Sequence, residues 1–308
     1  VGSRHRPRIV AGQWWFHWAM AIELPVEGHF SLARSITFAE GFGAAASGGA
    51  DGVFHAALVD DDGTPAAFVA HQEGATVVVE HKSALADERL GAHAARILSL
   101  DVDGRGLAAV AEADPVVGEL LSELPGLRPV CFPTPYEAAA WSVLSQRTSM
   151  RQAATVKRAL AEALGERVTA AGWEAVAFPS PTALLEADHL PGVGGAQRVE
   201  RLRAVAEAAL DGRLDPEMLR GFGSPEEALG HLTEIHGVGP FSALLILTRG
   251  AGHPDVAPPT TIARAREALA EPYGLEPGDV DEARAAELAE LWRPYRSWVF
   301  FLLRNRAG

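Results

Sequence analysis

Cysteine is almost absent from this sequence. Cys131 stands alone among 308 residues, which excludes a disulfide framework, a Cys-x-x-Cys zinc site and a four-cysteine set for an iron–sulfur cluster. That scarcity points to a reducing compartment, the cytoplasm. Lysine is nearly missing too: Lys82 and Lys157 are the only two, so arginine carries the positive charge. No apolar run is long enough to cross a bilayer. "WWFHWAMAIEL" (14–24) is too short, lacks the small-residue cleavage site of a secretory signal, and reads as core packing. The first dozen residues, "VGSRHRPRIVAG", have no periodicity and read as a flexible tail. Net positive charge is also lacking. The formal balance is −13, which weighs against a nucleic-acid partner unless a local basic face survives within the sum.

What is present is an ordinary globular composition, 48% hydrophobic and 22% charged, in a chain long enough for two domains with real cores. Residues 28 to about 82 read as strands. "FSLARSITF" alternates, and "GVFHAALVDDDGTPAAFVAHQEGATVVVEHK" has the form of a hairpin or meander around an acidic, Gly-containing turn. Helical periodicity then takes over in 84–100 and 106–124, the second stretch interrupted by Pro115. "GLRPVCFPTP" (126–135) is a proline-rich bridge and a candidate boundary. Beyond it the pattern is helical over 136–164, 181–188, 196–210, 225–234, 240–249, 260–270 and 281–305. The expected organisation is an N-terminal extension (1–27), an α+β domain of antiparallel sheet with helices (28–125) and an all-α domain (126–308).

One short element recurs: "LPGVGGAQRVERL" (190–202) and "IHGVGPFSALLIL" (235–247) share an apolar-x-Gly-Val-Gly run that opens a helix. In the second, Gly237 and Gly239 are expected to make a tight turn at positive φ, with Pro240 in the first turn of the next helix. The turn's amides then lie unsatisfied at a helix N-terminus, a place that favours an anion such as phosphate, and Ser242 can add a hydroxyl. Any tight turn between helices also uses glycine, so this segment alone leaves both readings open. The first copy reads as a plain helix–helix turn.

Three separated blocks carry a resemblance: "YEAAAWSVLSQRTSMRQAATVKRAL", "IHGVGPFSALLILTRGAGHPDVAPP" and "LWRPYRSWVFFLL". In order and spacing they resemble the helix–hairpin–helix DNA glycosylases, in particular the 3-methyladenine DNA glycosylase II branch, over roughly residues 28–305. The resemblance implies a helix–hairpin–helix domain that grips duplex DNA through Gly237, Val238, Gly239 and Ser242 and flips a damaged base out of the helix. It implies a structural monovalent cation, sodium or potassium, on the carbonyls of Thr233, Ile235 and Val238, and no other cofactor. It places Arg147 where a side chain wedges into the gap left by the flipped base; a surface charge or a helix-packing group is the other reading of that residue. A monomer is expected, cytoplasmic and associated with the nucleoid when bound to DNA.

The same resemblance puts a catalytic aspartate at the position of Thr261, beside Thr260, and neither threonine can carry negative charge. Threonine there would make a helix N-cap. Asp255, six residues upstream, is the nearest carboxylate, and Glu267 reads as solvated. The pocket for the base falls to Phe241, Leu245, Ile262 and Arg304. Phe241 could stack on a base, but three of the four lack the rings that favour a cationic methylpurine, and a core role is the alternative for Leu245 and Ile262. Phe241 also stands where bifunctional members have their Schiff-base lysine, so no lyase activity is expected. Three accounts of the threonines stay open: weak excision of alkylated purines whose own charge eases departure, damage binding without excision, and catalysis through another acid such as Asp255.

Overall fold

The computed structural model describes residues 20–42, 47–50 and 52–306. The expected tail, and residues 14–19 of the apolar "WWFHWAMAIEL" run, lie outside them. The chain starts with strand β1 (Met20–Pro25) and helix α1 (Leu32–Gly41), followed by β2 (Ser47–Ala50), β3 (Val53–Val59), β4 (Pro65–Glu73) and β5 (Thr76–His81). These strands form one antiparallel sheet in the order β1-β5-β4-β3-β2. The β3–β4 register pairs Phe54 with Ala70 and Val59 with Pro65 across the acidic turn. Phe54, Phe68, Val77 and Val79 are fully buried, each large side chain contributing about 1.5–3 kcal/mol of apolar burial.

Two expectations change at the N-terminal end. Strand structure begins at Met20 rather than at 28, since β1 pairs along the whole of β5. "FSLARSITF", expected as a strand, is α1. Its apolar spacing fits either period, but Leu32, Ser35, Ile36 and Ala39 are the buried set, and they share one face of a helix. Ser31 caps that helix by accepting the Arg34 amide.

Helices α2 (Asp87–Ile97), α3 (Leu107–Ala113) and α4 (Pro115–Glu123) follow. Pro115 does divide the second helical stretch. Asp114 ends α3 and caps α4 at the Val116 amide, and it also accepts from the Tyr273 hydroxyl at 2.5 Å and the Trp292 indole at 2.9 Å. Beyond the bridge come α5 (Pro135–Leu144), α6 (Met150–Leu164), α7 (Pro181–Glu186), α8 (Ala196–Leu210), α9 (Pro216–Arg220), α10 (Pro225–Thr233), α11 (Pro240–Leu245, continuing through a π-helical turn to Gly250), α12 (Ala263–Ala270), α13 (Glu282–Glu290) and α14 (Arg296–Arg304). Proline opens α4, α5, α7, α9 and α10 behind a capping Asp, Thr or Ser. At the first helical position its missing N–H costs nothing, and its fixed φ suits the helix.

The second half is not wholly α. Strands β6 (Arg167–Ala170) and β7 (Trp173–Val176) form a hairpin on the outer face of the first sheet, where Val168, Ala170 and Ala177 pack with Ala57, Ala67 and Val69. Nor does the expected boundary near 125 divide the cores. Leu107, Val117 and Leu120 of α3 and α4 pack with Leu288, Trp292, Val299 and Leu302 from the end of the chain. The bridge itself is buried and tied down. Arg96 donates to the carbonyls of Phe132 and Gly250, Arg249 to that of Val130, and the Phe132 amide to that of Arg249. Among the described residues no helix is long and apolar enough to cross a membrane.

Candidate nucleic-acid interface

Helix α10 ends at Thr233 and α11 begins at Pro240, leaving six residues to reverse the chain. The Val238 amide donates to the Ile235 carbonyl at 2.9 Å, and Ile235 and Val238 are buried in the helical core. Gly237 takes φ +92°, and a Cβ there would lie 2.5 Å from Cγ of Arg201. Glycine is therefore required twice over, by backbone sign and by space. Gly239 differs from expectation. Its φ is −92°, which any residue adopts, and a Cβ on it would meet nothing within 4 Å. What makes Gly239 suitable is openness: it is exposed at the helix start, and among the described residues its amide has no hydrogen-bond partner. Phe241 beside it is 53% exposed, whereas Ser242 is buried. The hydroxyl expected to reach a ligand therefore lies beneath the bend.

The bend is held from the α5–α6 loop, through contacts that the motif reading missed. Gln146 Nε2 donates to the Gly237 carbonyl at 2.9 Å, and Arg201 donates to Gln146 Oε1 at 2.7 Å. Arg198 donates to the Gln146 carbonyl at 2.7 Å. Both arginines come from α8, the helix that follows the first Gly-Val-Gly copy, where Gly195 at φ +82° is the N-cap. The first copy is thus more than a connector, because its helix props up the second. The i, i+3 spacing of Arg198 and Arg201, which places them on one helix face, was the available signal.

Arg147 follows Gln146 directly. It is exposed and sits at φ +52°, a conformation that costs a non-glycine residue roughly 1–2 kcal/mol. Such local strain concentrates at functional turns. Ser149 and Gln152 then form a reciprocal capping box that starts α6. Arg151 lies exposed in that first turn, where the helix dipole disfavours a cation. Arg147, Arg151, Arg198 and Arg201 thus stand on the loop and helices that hold the bend, with the exposed Glu200 and Glu234 in the same segments.

Thr261 is exposed, and it does not cap α12. The N-cap is Ile262, which makes no side-chain hydrogen bond to the helix, so the expected threonine cap is absent. Asp255 is fully engaged. Its carboxylate accepts from Arg296 Nε at 2.6 Å and from Arg293 Nη1 at 2.8 Å. Ser297 fastens the same segment, donating its amide to the Pro254 carbonyl and accepting the Val256 amide. A carboxylate held between two guanidiniums is a strut for this segment. Leu245 packs on the helical core, Ile262 is half-buried, and Arg304 lies on the exposed side of the last turn of α14. A ring trio that the sequence did not reveal, Phe38, Phe42 and Phe301, surrounds the guanidinium of Arg249 at 4.9–5.1 Å. Burial lowers the Arg249 pKa to about 10.

No family model matches the chain. It is 31% identical over 209 residues to the probable bifunctional transcriptional activator/DNA repair enzyme AlkA of Mycobacterium tuberculosis, covering 66% of this chain and 40% of that protein. It is 31% identical over 188 residues to DNA-3-methyladenine glycosylase 2 of Escherichia coli, covering 59% and 61%. The match thus spans about half the length of these curated relatives. The 3-methyladenine DNA-glycosylase from Archaeoglobus fulgidus has a similar fold, with TM-score 0.72 at 22% identity over 92% of this chain and 97% of that one.

The chain is similar in sequence to these DNA repair glycosylases and shares the fold of the Archaeoglobus enzyme.

The Bacillus halodurans DNA-3-methyladenine glycosidase also has a similar fold, with TM-score 0.52 at 20% identity over 67% of this chain and 91% of that one. In this glycosylase-like chain, Lys157, the lysine of the helical half, is buried and ion-paired to Glu137 at 2.5 Å. A different cleft, of about 260 Å³, lies between the β3–β4 turn and the end of α8 and is lined by Asp60, Asp61, Asp62 and Asp215. It shares no residue with the bend. Burial pushes Asp61 up to about 6 there, Arg96 opposing and Asp215 assisting.

Proposed function

We propose that this chain is a DNA glycosylase-like protein of base-excision repair that grips duplex DNA with the 234–242 hairpin, accommodates an extrahelical damaged nucleotide, and does not cleave the glycosidic bond. The carrying observation is the pairing of an open, glycine-built bend with a reaction position that holds no carboxylate. Gly239 offers an unpartnered amide beside arginines that can follow a phosphate backbone. Thr261 supplies no charge, and Asp255 is neutralised by Arg293 and Arg296. Catalysis by Asp255 is the least favoured of the three accounts, since freeing it would leave buried Arg296 uncompensated.

In this reading Arg147, strained and exposed at the loop apex, enters the stack where the nucleotide has left; a guanidinium plane can stack on bases. The same reading assigns a monovalent cation to the carbonyls of Thr233, Ile235 and Val238, at and just beyond the end of α10, where helix carbonyls lack intrahelical partners. Such a donor set suits a hard monovalent cation, although the Ile235 carbonyl also accepts the Val238 amide. Without a lysine at the bend, strand cleavage through a Schiff base is not expected. A second reading, slow monofunctional excision of alkylated purines, is favoured by the relatives named as 3-methyladenine glycosylases.

The hairpin is tested by Gly239→Asp, which brings negative charge to the bend without a steric clash. Native protein should bind duplex DNA with an affinity that falls steeply as salt rises, and the variant should lose most of that affinity. Unchanged binding would refute the hairpin's role.

A further inference from the structure

Arg147 is a free side chain in a fully engaged frame. It is exposed, and among the described residues its side chain has neither a hydrogen bond nor an ion pair. The residues on both sides of it are pinned. Gln146 has each of its polar atoms engaged: its amide donates to the Val143 carbonyl at 3.3 Å, its carbonyl accepts from Arg198, its side-chain oxygen accepts from Arg201, and its side-chain nitrogen donates to the Gly237 carbonyl. On the other side, Gln152 Oε1 accepts from the Thr148 hydroxyl at 3.1 Å and from the amide and hydroxyl of Ser149 at 3.2 and 2.9 Å. Arg201 joins the hairpin to this frame twice. Its guanidinium holds Gln146, and its stem fills the space beside Gly237 that a Cβ would need.

A non-glycine residue keeps a positive φ, here +52°, only where its surroundings over-determine it. The bonds that Gln146 makes to the hairpin and to α8 are not needed to start α6, whose capping box is complete without them. What they fix is where Arg147 stands relative to the bend. A loop ordered before binding gives up less freedom when it binds. We infer that Gln146, clamped by Arg198 and Arg201, is a positioning residue that registers Arg147 against the hairpin, so that the two DNA contacts form together. This rests on the reading that the hairpin and Arg147 meet DNA. A clamp that served the fold alone would lower stability without changing what Arg147 contributes to binding.

The test is a double-mutant cycle read by fluorescence anisotropy at one fixed salt concentration, on a duplex with a central mismatch, whose weakened pair opens more easily. Arg147→Ala is measured in the native chain and in Gln146→Met, which keeps the length and neutrality of the side chain but not its hydrogen-bonding groups. In the native chain Arg147→Ala should weaken binding about fivefold or more, as loss of a stacking side chain does. In Gln146→Met the same change should cost less than about twofold, a coupling in the range found within one hydrogen-bond network. Arg201→Lys, which can still donate to Gln146, should keep the full Arg147→Ala loss, and Arg201→Met should abolish it. Should Gln146→Met fail to fold, the two Arg201 variants carry the same comparison. An Arg147→Ala loss of equal size in every chain, or no loss in the native chain, would overturn the inference. Gly239→Asp on the same duplex separates the two ideas. If it binds like the native chain, the hairpin reading falls, and the Arg147→Ala ratios still decide whether Gln146 places that residue.

Discussion

The two glycines of the bend should respond oppositely to alanine. At Gly237 the backbone is at φ +92°, and the new Cβ would lie 2.5, 2.7 and 2.9 Å from three carbons of Arg201. The left-handed conformation alone costs about 1–2 kcal/mol. Moving Arg201 aside breaks its hydrogen bond to Gln146 and disturbs the one from Gln146 to the Gly237 carbonyl. At about 0.5–1.5 kcal/mol for each partly buried bond, the sum is roughly 2–5 kcal/mol. Gly239→Ala faces no clash and no sign change, so it should be neutral or stabilise by up to about 1 kcal/mol through the unfolded chain. Urea unfolding of the two variants beside the native chain measures the difference. Equal midpoints, or a Gly237→Ala midpoint matching the native one, would refute the geometry assigned to the bend and its support from α8.

Two further outcomes follow from charged side chains. Asp255→Asn should destabilise the chain by about 3–5 kcal/mol, because Arg296 is left buried beside Arg293 without a counter-charge; thermal unfolding reports it, and a variant as stable as native would show that the strut is dispensable. Asp61 has a folded pKa of about 6, above its ordinary value of 3.8, so the folded state binds the extra proton between those values. Stability should rise as pH falls from 7 towards 4, and Asp61→Asn should raise the melting temperature at pH 8 and lose that advantage by pH 4. An advantage that does not change with pH would exclude Asp61 as its source.

The helical half was legible because its signals are local. The Ser-Pro, Thr-Pro and Asp-Pro pairs mark helix starts, and apolar spacing marks their buried faces. "FSLARSITF" misled because Phe30, Leu32, Ile36 and Phe38 suit a period of two as well as a helix, and only the cap at Ser31 and the buried Ser35 and Ala39 decide between them. The β6–β7 hairpin is four residues a side, too short for its pattern to outweigh the helices around it. At the bend, the motif located the glycines, but sequence spacing could not tell which needed positive φ, because that depends on the approach of Arg201 from α8. Gln146, Arg198 and Arg201 act across 52 to 91 residues of chain, and the Phe38–Phe42–Phe301 cage spans nearly the whole molecule. Such contacts exist only once the cores have packed. That Thr261 stands at the position of the family aspartate is an expectation from the resemblance; the engagement of Asp255 by two arginines was not legible in the sequence.

Base release from alkylated duplex DNA under single-turnover conditions, with native protein in excess over substrate and Thr261→Asp run in parallel, tests the account most directly. Native protein should bind and release 3-methyladenine and 7-methylguanine no faster than the spontaneous rate. Thr261→Asp, which places a carboxylate at an exposed position without disturbing packing, should accelerate release by about 10²-fold or more. Rapid release by the native chain, unimproved by the aspartate, would contradict the claim that this hairpin protein holds DNA without excising a base.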